Sequence, residues 1–265
     1  MYENLIWGYT LAVVMGFTLG LFGGGGSILS VPIFVYVIGI SPVLSTAYSL
    51  FVVGLSALVG SVKKHFDKHI AYKVGILFAL PSIATVYATR RFVVSNIPDE
   101  LGQLGSLVIT KDLAIMIFFA VVMLVAAASM IRGRKESKKI VEKMNIPLII
   151  LEGVVVGFIT GLVGAGGGFL IVPALVLLVG LPMNQAVATS LVVIALKSLI
   201  GFTGDLGSGQ LIDWTFLISF SAFSMLGMGL GLYFTKKIDA TKLKKAFGWF
   251  VLVMAVFIFG LELLA

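Results

Sequence analysis

The sequence predicts an all-α polytopic membrane protein: an inverted repeat of two five-segment halves, with about ten helices, some short or re-entrant at glycine-rich turns. Hydrophobic residues make up 59% of the 265 residues and charged residues only 12%, whereas soluble domains carry roughly 25% charge. Several stretches reach the length of about 18 apolar residues that is typical of membrane helices. A repeated glycine-rich phrase divides the chain into two related halves.

The repeat aligns without gaps. Segment 16–60 begins GFTLGLFGGGGSILSVP, and segment 157–201, at an offset of 141 residues, begins GFITGLVGAGGGFLIVP; 19 of the 45 positions are identical. Each glycine cluster is followed six residues later by a proline, Pro32 or Pro173. Because glycine weakens helices and proline breaks them, matching interruptions in two halves of a hydrophobic protein point to the binding site of a transporter.

The basic residues are concentrated in three short loops between apolar segments. Loops 63–73, 132–143 and 236–245 hold 15 of the 19 lysines and arginines. Such clusters mark cytoplasmic loops, so the net charge of +7 indicates topology and not nucleic-acid binding. We expect a multi-pass protein of the cytoplasmic (inner) membrane, with the lipid bilayer as a partner and no nucleic acid.

The basic loops also fix the number of crossings. Single crossings are expected at segments 72–94, 113–131, 214–234 and 246–264. An odd number of crossings must then precede loop 63–73. Another odd number must lie between residue 147, on the inside, and residue 205, on the outside. Repeat 1 therefore begins outside and repeat 2 inside, both termini lie outside, and a pseudo-two-fold axis in the membrane plane relates the halves. The expected division is repeat 1 over 1–131, a cytoplasmic basic linker over 132–146 and the inverted repeat 2 over 147–265.

How each repeat opens is left undecided by length alone. Repeat 1 opens with segments 5–22 and 28–40, and repeat 2 with segments 147–163 and 169–181. Thirteen helical residues rise only about 20 Å, less than the roughly 30 Å hydrocarbon core. Each pair is therefore a re-entrant hairpin with glycine at its apex or two short tilted crossings. The insert 95–110 is read as a short interfacial helix or as a surface loop.

The glycine clusters are the predicted substrate site. A turn at membrane depth exposes backbone polar groups that need partners, and the helix start that follows presents free N–H donors and partial positive charge. Glycine lets a ligand approach this backbone closely, so two facing turns would hold one small oxyanion. The candidates are Gly23, Gly24, Gly25, Gly26 and Ser27 in repeat 1, and Gly164, Ala165, Gly166, Gly167 and Gly168 in repeat 2. The earlier glycines Gly16, Gly20, Gly157 and Gly161 are assigned to helix packing.

Polar residues on the third helix of each repeat complete the predicted site: Ser49, Thr189, Ser190 and Lys197. The serines either donate to the anion or bond their own helix carbonyls. Lys197 is the one charge deep in an apolar helix, where charged residues are functional by default, although a lysine can also reach the interface by snorkelling.

Three further charged residues allow two roles each. Arg90 and Arg91 end a segment on the outer side, where they anchor the helix at the interface or line a vestibule that attracts anions. Glu152 is the one interior carboxylate suited to proton coupling, and a partner of the helix-start dipole is the alternative.

Other chemistries are disfavoured by composition. The chain has no cysteine, and its two histidines lie in a basic loop, so disulfides and a buried haem or zinc centre are not expected. No nucleophile–base pair is found in the apolar segments. The prediction is a protein that is not an enzyme and uses no cofactor or metal.

The phrases GGGGSILSVP and GAGGGFLIVPAL, each followed by A-x-S-L (residues 47–50 and 188–191), resemble the TauE/SafE family of sulfite exporters. The family pattern G-x-x-G-x-G-G-G-x-x-x-V-P is matched at 161–173 and more loosely at 20–32, where Ser27 replaces a glycine. The resemblance implies a secondary transporter for small sulfur-containing anions such as sulfite, sulfoacetate or related organosulfonates, with export expected. An anion channel of the same architecture and a membrane-embedded scaffold are the alternatives.

Overall fold

The computed structural model describes residues 5–104, 107–132, 145–164, 166–206, 211–235 and 238–264. Within these ranges the chain forms ten α-helices and a two-stranded sheet. The helices are α1 Leu5–Phe22, α2 Gly26–Pro32, α3 Pro42–Phe66, α4 Tyr72–Ala88, α5 Lys111–Arg132, α6 Ile146–Val163, α7 Gly168–Pro173, α8 Met183–Thr203, α9 Trp214–Thr235 and α10 Ala240–Leu264. Short π-helical stretches continue α2, α4 and α7: Ile33–Val37, Thr89–Val93 and Ala174–Leu178.

Seven of these helices are long and apolar enough to cross a membrane. They are Pro42–Phe66, Tyr72–Asn96, Lys111–Arg132, Ile146–Val163, Met183–Thr203, Trp214–Thr235 and Lys242–Leu261. The continuous helical segments Gly26–Val37 and Gly168–Leu178 are shorter, as their lengths in the sequence predict. The all-α polytopic fold is confirmed. Of the predicted linker 132–146, the described part is limited to its two ends.

The helices extend further into two of the basic loops than predicted. α3 includes Lys63 and Lys64, and α10 begins at Ala240, so Lys242 lies in a helix. Lysine is a good helix former, and its aliphatic stem can cover apolar surface while the ammonium stays in water. This reason accounts for the difference at both loops.

The first two segments of repeat 1 form a re-entrant hairpin. A Cβ placed on Gly26 would lie 2.5 Å from the Leu19 Cβ, and one placed on Gly8 would lie 3.2 Å from Ile38. The segment after the glycine turn therefore runs back along α1. A Cβ on Gly24 would overlap the Gly168 carbonyl group of the equivalent turn, so the apex lies inside the molecule and not at its far surface. In repeat 2, Gly167 likewise lies against Thr160 of the preceding helix, which a straight helix would place about 10 Å away.

The equivalent helices α3 and α8 pack side by side and run antiparallel. A Cβ on Gly54 of α3 would lie 2.9 Å from Leu199 of α8, and one on Gly60 would lie 3.2 Å from Leu191. The two halves also exchange partners, since α1 packs along α9 and α6 packs along α4. Antiparallel equivalents with exchanged partners are the arrangement of an inverted repeat. Both re-entrant hairpins point to the contact between α3 and α8.

Glycine sets the distance between the long helices. On α1, a Cβ at Gly20 would lie 2.9 Å from the Leu232 nitrogen of α9, and on α6 a Cβ at Gly157 would lie 2.7 Å from the Ser82 carbonyl oxygen of α4. Such positions have no space for a side chain, so the two backbones touch. This confirms the packing role predicted for Gly16, Gly20, Gly157 and Gly161.

The insert between α4 and α5 is neither a short helix nor an irregular loop, so both readings of the sequence were wrong there. After a 3-10 turn at Val94–Asn96, strands β1 Glu100–Leu104 and β2 Leu107–Thr110 pair antiparallel. The second strand, with sequence LVIT, is rich in β-branched residues that favour strands. The Lys111 nitrogen donates to the Asp99 carbonyl oxygen at 2.9 Å and closes the base of the hairpin.

We predict that Gly16→Val lowers the melting temperature of the detergent-solubilised protein much more than Gly229→Val. A side chain at Gly16 would overlap the Ser224 backbone, whereas a Cβ at Gly229 has no neighbour within 4 Å. Overpacking costs about 1–3 kcal/mol. The measurement is fluorescence-detected size-exclusion chromatography after heating. Equal shifts for the two variants would contradict the role given to Gly16.

Candidate functional site

The two glycine turns meet at the centre of the molecule. A Cβ on Gly24 would lie 2.9 Å from the Gly168 Cα and would overlap the Gly168 carbonyl group. The two turns thus touch through their backbones, and a side chain at either position would force them apart. The sequence predicts facing turns, and the structure brings them into direct contact without an anion-sized gap between Gly24 and Gly168. Ala165 lies outside the described residues.

The turns differ in backbone conformation. The turn of repeat 1 has one left-handed glycine, Gly23 with φ 70°, whereas the described part of the turn of repeat 2 has three, Gly164, Gly166 and Gly167, with φ 69°, 61° and 71°. L-residues with a side chain adopt this region at a cost, so glycine is required at these four positions for conformation alone. The turn of repeat 2 is therefore the more contorted of the two.

The predicted serines bond to the turns. Ser27 Oγ donates to the Gly24 carbonyl oxygen at 2.6 Å, and Ser190 Oγ donates to the Gly23 carbonyl oxygen at 2.8 Å. Ser190 belongs to repeat 2, so it ties the turn of repeat 1 to α8. Its equivalent Ser49 instead pairs with Ser30 Oγ at 2.6 Å. In this conformation the hydroxyls satisfy protein partners. Ser190 also donates to the Val187 carbonyl oxygen of its own helix at 2.8 Å, whereas Ser49 bonds a hydroxyl of another segment and not its own helix.

Thr189 lies away from the glycine turns. Its Oγ1 accepts a hydrogen bond from the Ala71 nitrogen at 3.0 Å, just before α4. The equivalent residue Tyr48 accepts one from the Asp213 nitrogen at 2.7 Å, just before α9. Both repeats therefore use this position to hold the start of a long helix, which is a structural role.

Lys197 is fully buried, with an exposed fraction of 0%, so snorkelling to the interface does not occur. Its Nζ donates to Thr160 Oγ1 at 2.9 Å, and a Cβ on Gly167 would overlap that Nζ. Among the described carboxylates, none forms an ion pair with Lys197. The ammonium group therefore lies beside the turn of repeat 2 with its charge met by a neutral hydroxyl.

Two residues at this turn were missed by sequence reasoning. Thr160 accepts the Lys197 hydrogen bond, and Ser198 Oγ lies 3.4 Å from the position of a Cβ on Gly166. Ser198 Oγ is buried without a hydrogen-bond partner among the described residues. Their equivalents in repeat 1 are Leu19 and Ala57, so a comparison of the repeats would have shown that repeat 2 carries the polar groups.

A second polar group surrounds Arg90, which is buried with an exposed fraction of 2%. Its Nε donates to Asp205 Oδ2 at 2.9 Å, and its Nη1 donates to Thr46 Oγ1 at 2.9 Å. Burial raises the pKa of the Asp205 carboxyl, and the charge of Arg90 opposes that shift. An interface anchor must face the lipid headgroups, so this role was wrong for Arg90, whereas Arg91 is exposed.

Glu152 lies in the second turn of α6 and is buried. Neither of its carboxylate oxygens has a hydrogen-bond partner among the described residues. The helix dipole acts within the first turn, where Asn145 instead accepts from the Leu148 nitrogen. A dipole partner therefore does not describe Glu152, and proton coupling stays a prediction.

The described residues include no group of three or more His, Asp or Glu side chains placed to hold a metal ion. What the centre of the molecule offers is a buried cation, a buried hydroxyl and closely approachable backbone. These groups donate hydrogen bonds and positive charge. Their chemistry suits the binding of an anion.

Comparison with known proteins agrees with this architecture. The family described as Sulfite exporter TauE/SafE matches residues 9–258. A probable membrane transporter protein of Xylella fastidiosa is 29% identical over 252 residues, covering 92% of this chain and 91% of the relative. One from Bacillus subtilis is 26% identical, covering 87% and 90%.

A probable membrane transporter protein of Methanocaldococcus jannaschii is 30% identical over 202 residues, covering 72% of this chain and 70% of the relative. No solved structure matches the chain. Because the family match covers nearly the whole sequence, the assignment does not depend on one motif. The chain belongs to the sulfite exporter TauE/SafE family of membrane transporters.

Proposed function

We propose that this protein is a secondary transporter that exports small sulfur-containing anions, such as sulfite, sulfoacetate or related organosulfonates, across the cytoplasmic membrane by alternating access. The observation that carries the proposal is the Lys197 ammonium group, buried beside Gly167 with no carboxylate partner among the described residues. A scaffold gains nothing from such a group, because burying an unpaired charge is costly. A substrate anion removes that cost when it binds.

The groups around Lys197 suit an anion with several oxygens. Gly166 and Gly167 have no side chains, so the Lys197 ammonium lies directly against the backbone of the turn. The Ser198 hydroxyl lies at the same turn without a hydrogen-bond partner among the described residues. The helical segment Gly168–Leu178 begins directly after the turn, and its first N–H groups point to it. Sulfite and sulfonates carry three oxygens, so they can accept from the ammonium, the hydroxyl and the backbone together.

The proposed site is therefore asymmetric. The groups that could bind an anion belong to the turn of repeat 2, while repeat 1 supplies the Gly24 backbone that closes the turn from the other side. The site that we propose lies at the two facing turns, as the sequence predicts, but the two turns contribute different groups to it. An anion bound at Lys197 would lie next to the contact between the two hairpins, where a small displacement of either hairpin changes the side from which it is reached.

The contact between the turns favours a transporter over a channel. A channel needs a continuous path, and the touching backbones of Gly24 and Gly168 occupy the place where the two hairpin tips meet. In alternating access, one hairpin moves against the other around a central site. The positive-inside rule orients the protein with the loop between α3 and α4 in the cytoplasm and both termini outside.

The first test is Lys197→Met in proteoliposomes loaded and assayed with radiolabelled sulfite. Hydrogen bonds to charged groups contribute about 1.5–3 kcal/mol, so the saturable flux should fall by about 10- to 100-fold. Lys63→Met, the same change at an exposed lysine, is the control and should keep normal flux. A folded Lys197→Met protein with unchanged flux would overturn the assignment.

The second test separates close backbone approach from backbone strain. Gly166→Ala and Gly39→Ala both place a side chain at a left-handed residue, with φ 61° and 78°, and both should cost about 1–2 kcal/mol of stability. Only Gly166 is crowded, since a Cβ there would lie 2.7 Å from Val53, whereas one at Gly39 meets nothing within 4 Å.

We expect sulfite flux to be lost in Gly166→Ala at temperatures where the protein is still folded and retained in Gly39→Ala. The contact with Val53 should lower the melting temperature of Gly166→Ala further than that of Gly39→Ala. Flux and melting temperature are measured on the same preparations. Retained flux in both variants would return the glycine turn of repeat 2 to a purely structural role.

A further inference from the structure

A cavity of about 150 Å³ lies at the end of the molecule opposite the loop between α3 and α4. Arg90, Lys111 and Asp205 line it together with Ser95 and Ala47. Ser95 is exposed, so the cavity reaches the surface of the protein. A volume of about 150 Å³ is enough for a molecule the size of benzene. A small oxyanion therefore fits in this space.

The charged side chains that line the cavity carry an excess of positive charge. Arg90 and Lys111 are both buried, and Asp205 is the one carboxylate that lines the cavity with them. Lys111 Nζ donates to the Val94 carbonyl oxygen at 2.6 Å and to the Ile97 carbonyl oxygen at 3.3 Å. Both acceptors are neutral carbonyl oxygens, and the Asp112 carboxyl next in the chain also interacts with Lys111 electrostatically.

Arg90 retains hydrogen-bonding capacity there. Its Nη2 lies 2.7 Å from Asp205 Oδ2 as an ion pair, yet it makes no hydrogen bond among the described residues. A guanidinium presents its donors in a planar fork that suits oxyanions. The Nη2 group is therefore a buried donor that lies against Asp205, and both residues line the cavity.

Arg90 also connects the cavity to the turn of repeat 2. Its Nη1 donates to Thr46 Oγ1 at 2.9 Å and to the Gly161 carbonyl oxygen at 3.4 Å. Thr46 in turn lies against Gly164, since a Cβ there would be 2.6 Å from the Thr46 Cα. Two side chains, Arg90 and Thr46, thus separate the surface cavity from Gly164, the first residue of the turn that carries the proposed transport site.

We propose that this cavity is a second anion-binding site, in which a small oxyanion is held by Arg90 and Lys111 and takes the place of Asp205 on the guanidinium. Arg90 then acts as the gate residue between the surface and the turn of repeat 2. The identity of the anion as a sulfur oxyanion rests on the proposed function. The site itself rests on the cavity, its two buried cations and the contacts of Arg90.

The test is isothermal titration of the detergent-solubilised protein with sodium sulfite, against sodium gluconate at equal ionic strength. Asp205→Asn removes the competing carboxylate, so we expect about tenfold tighter sulfite binding. The double variant Arg90→Gln/Asp205→Asn avoids an unpaired buried charge and should lose this binding. Arg91→Gln is the matched control, because the neighbouring Arg91 is exposed and does not line the cavity.

Adding Lys197→Met to each protein separates this proposal from the transport site. A second site is supported if Lys197→Met still binds sulfite and the triple variant Lys197→Met/Arg90→Gln/Asp205→Asn does not. Two results would overturn the second site. One is that Asp205→Asn does not tighten sulfite binding. The other is that, in the Lys197→Met background, the Arg90→Gln/Asp205→Asn change does not weaken it. Neither result depends on flux, so a failure of the transport proposal is seen independently in the Lys197→Met flux assay.

Discussion

The structure depends on how backbone polar groups are satisfied where two helices are broken inside the apolar part of the molecule. With no water in a bilayer core, each unpaired N–H or C=O costs several kcal/mol, so broken helices are tolerated only inside protein or beside a cavity. The chain meets this requirement by placing its two glycine turns against each other and against α3 and α8. Ser190 and Ser27 then bond the carbonyl oxygens of Gly23 and Gly24. Both hairpins are thereby fixed at the centre of the fold.

The same constraint explains why the two repeats share a backbone but not a chemistry. Close contact between the turns demands small residues in both, and every equivalent position of the two turns holds glycine, alanine or serine. The charged and polar side chains around the turns do not have to be the same in both repeats for the turns to touch. Lys197 and Thr160 lie at one turn, whereas their equivalents Ser56 and Leu19 in repeat 1 are a serine bonded to Ser224 and an apolar residue. The duplicated fold thus supplies a frame, and repeat 2 supplies the groups suited to an anion.

Hydropathy and charge predicted the long helices closely, because both follow from local composition. They did not distinguish a re-entrant hairpin from two crossings, since both have the same lengths and the same count. The contact between Gly24 and Gly168, which places both turns inside the molecule, distinguishes them. The roles of Arg90 and Thr160 were missed for a different reason. Arg90 depends on Asp205, 115 residues away, and Thr160 on Lys197. Pairings between residues 115 and 37 positions apart leave no local pattern in the sequence.

The two buried cations differ in how their charges are met, and under the proposed function this difference would set the order in which an anion meets them. Arg90 is paired with Asp205 near the surface. An anion that binds there replaces the Asp205 carboxylate as the negative partner of Arg90, so the net gain in electrostatic energy is small. Lys197 is held by a hydroxyl alone at the centre, so an anion there gains a full charge interaction in a region of low dielectric. A weak peripheral site followed by a stronger central one allows an anion to enter and leave without being trapped at the surface. In this arrangement the Arg90–Asp205 pair would control access to the centre, and Lys197 would provide most of the binding.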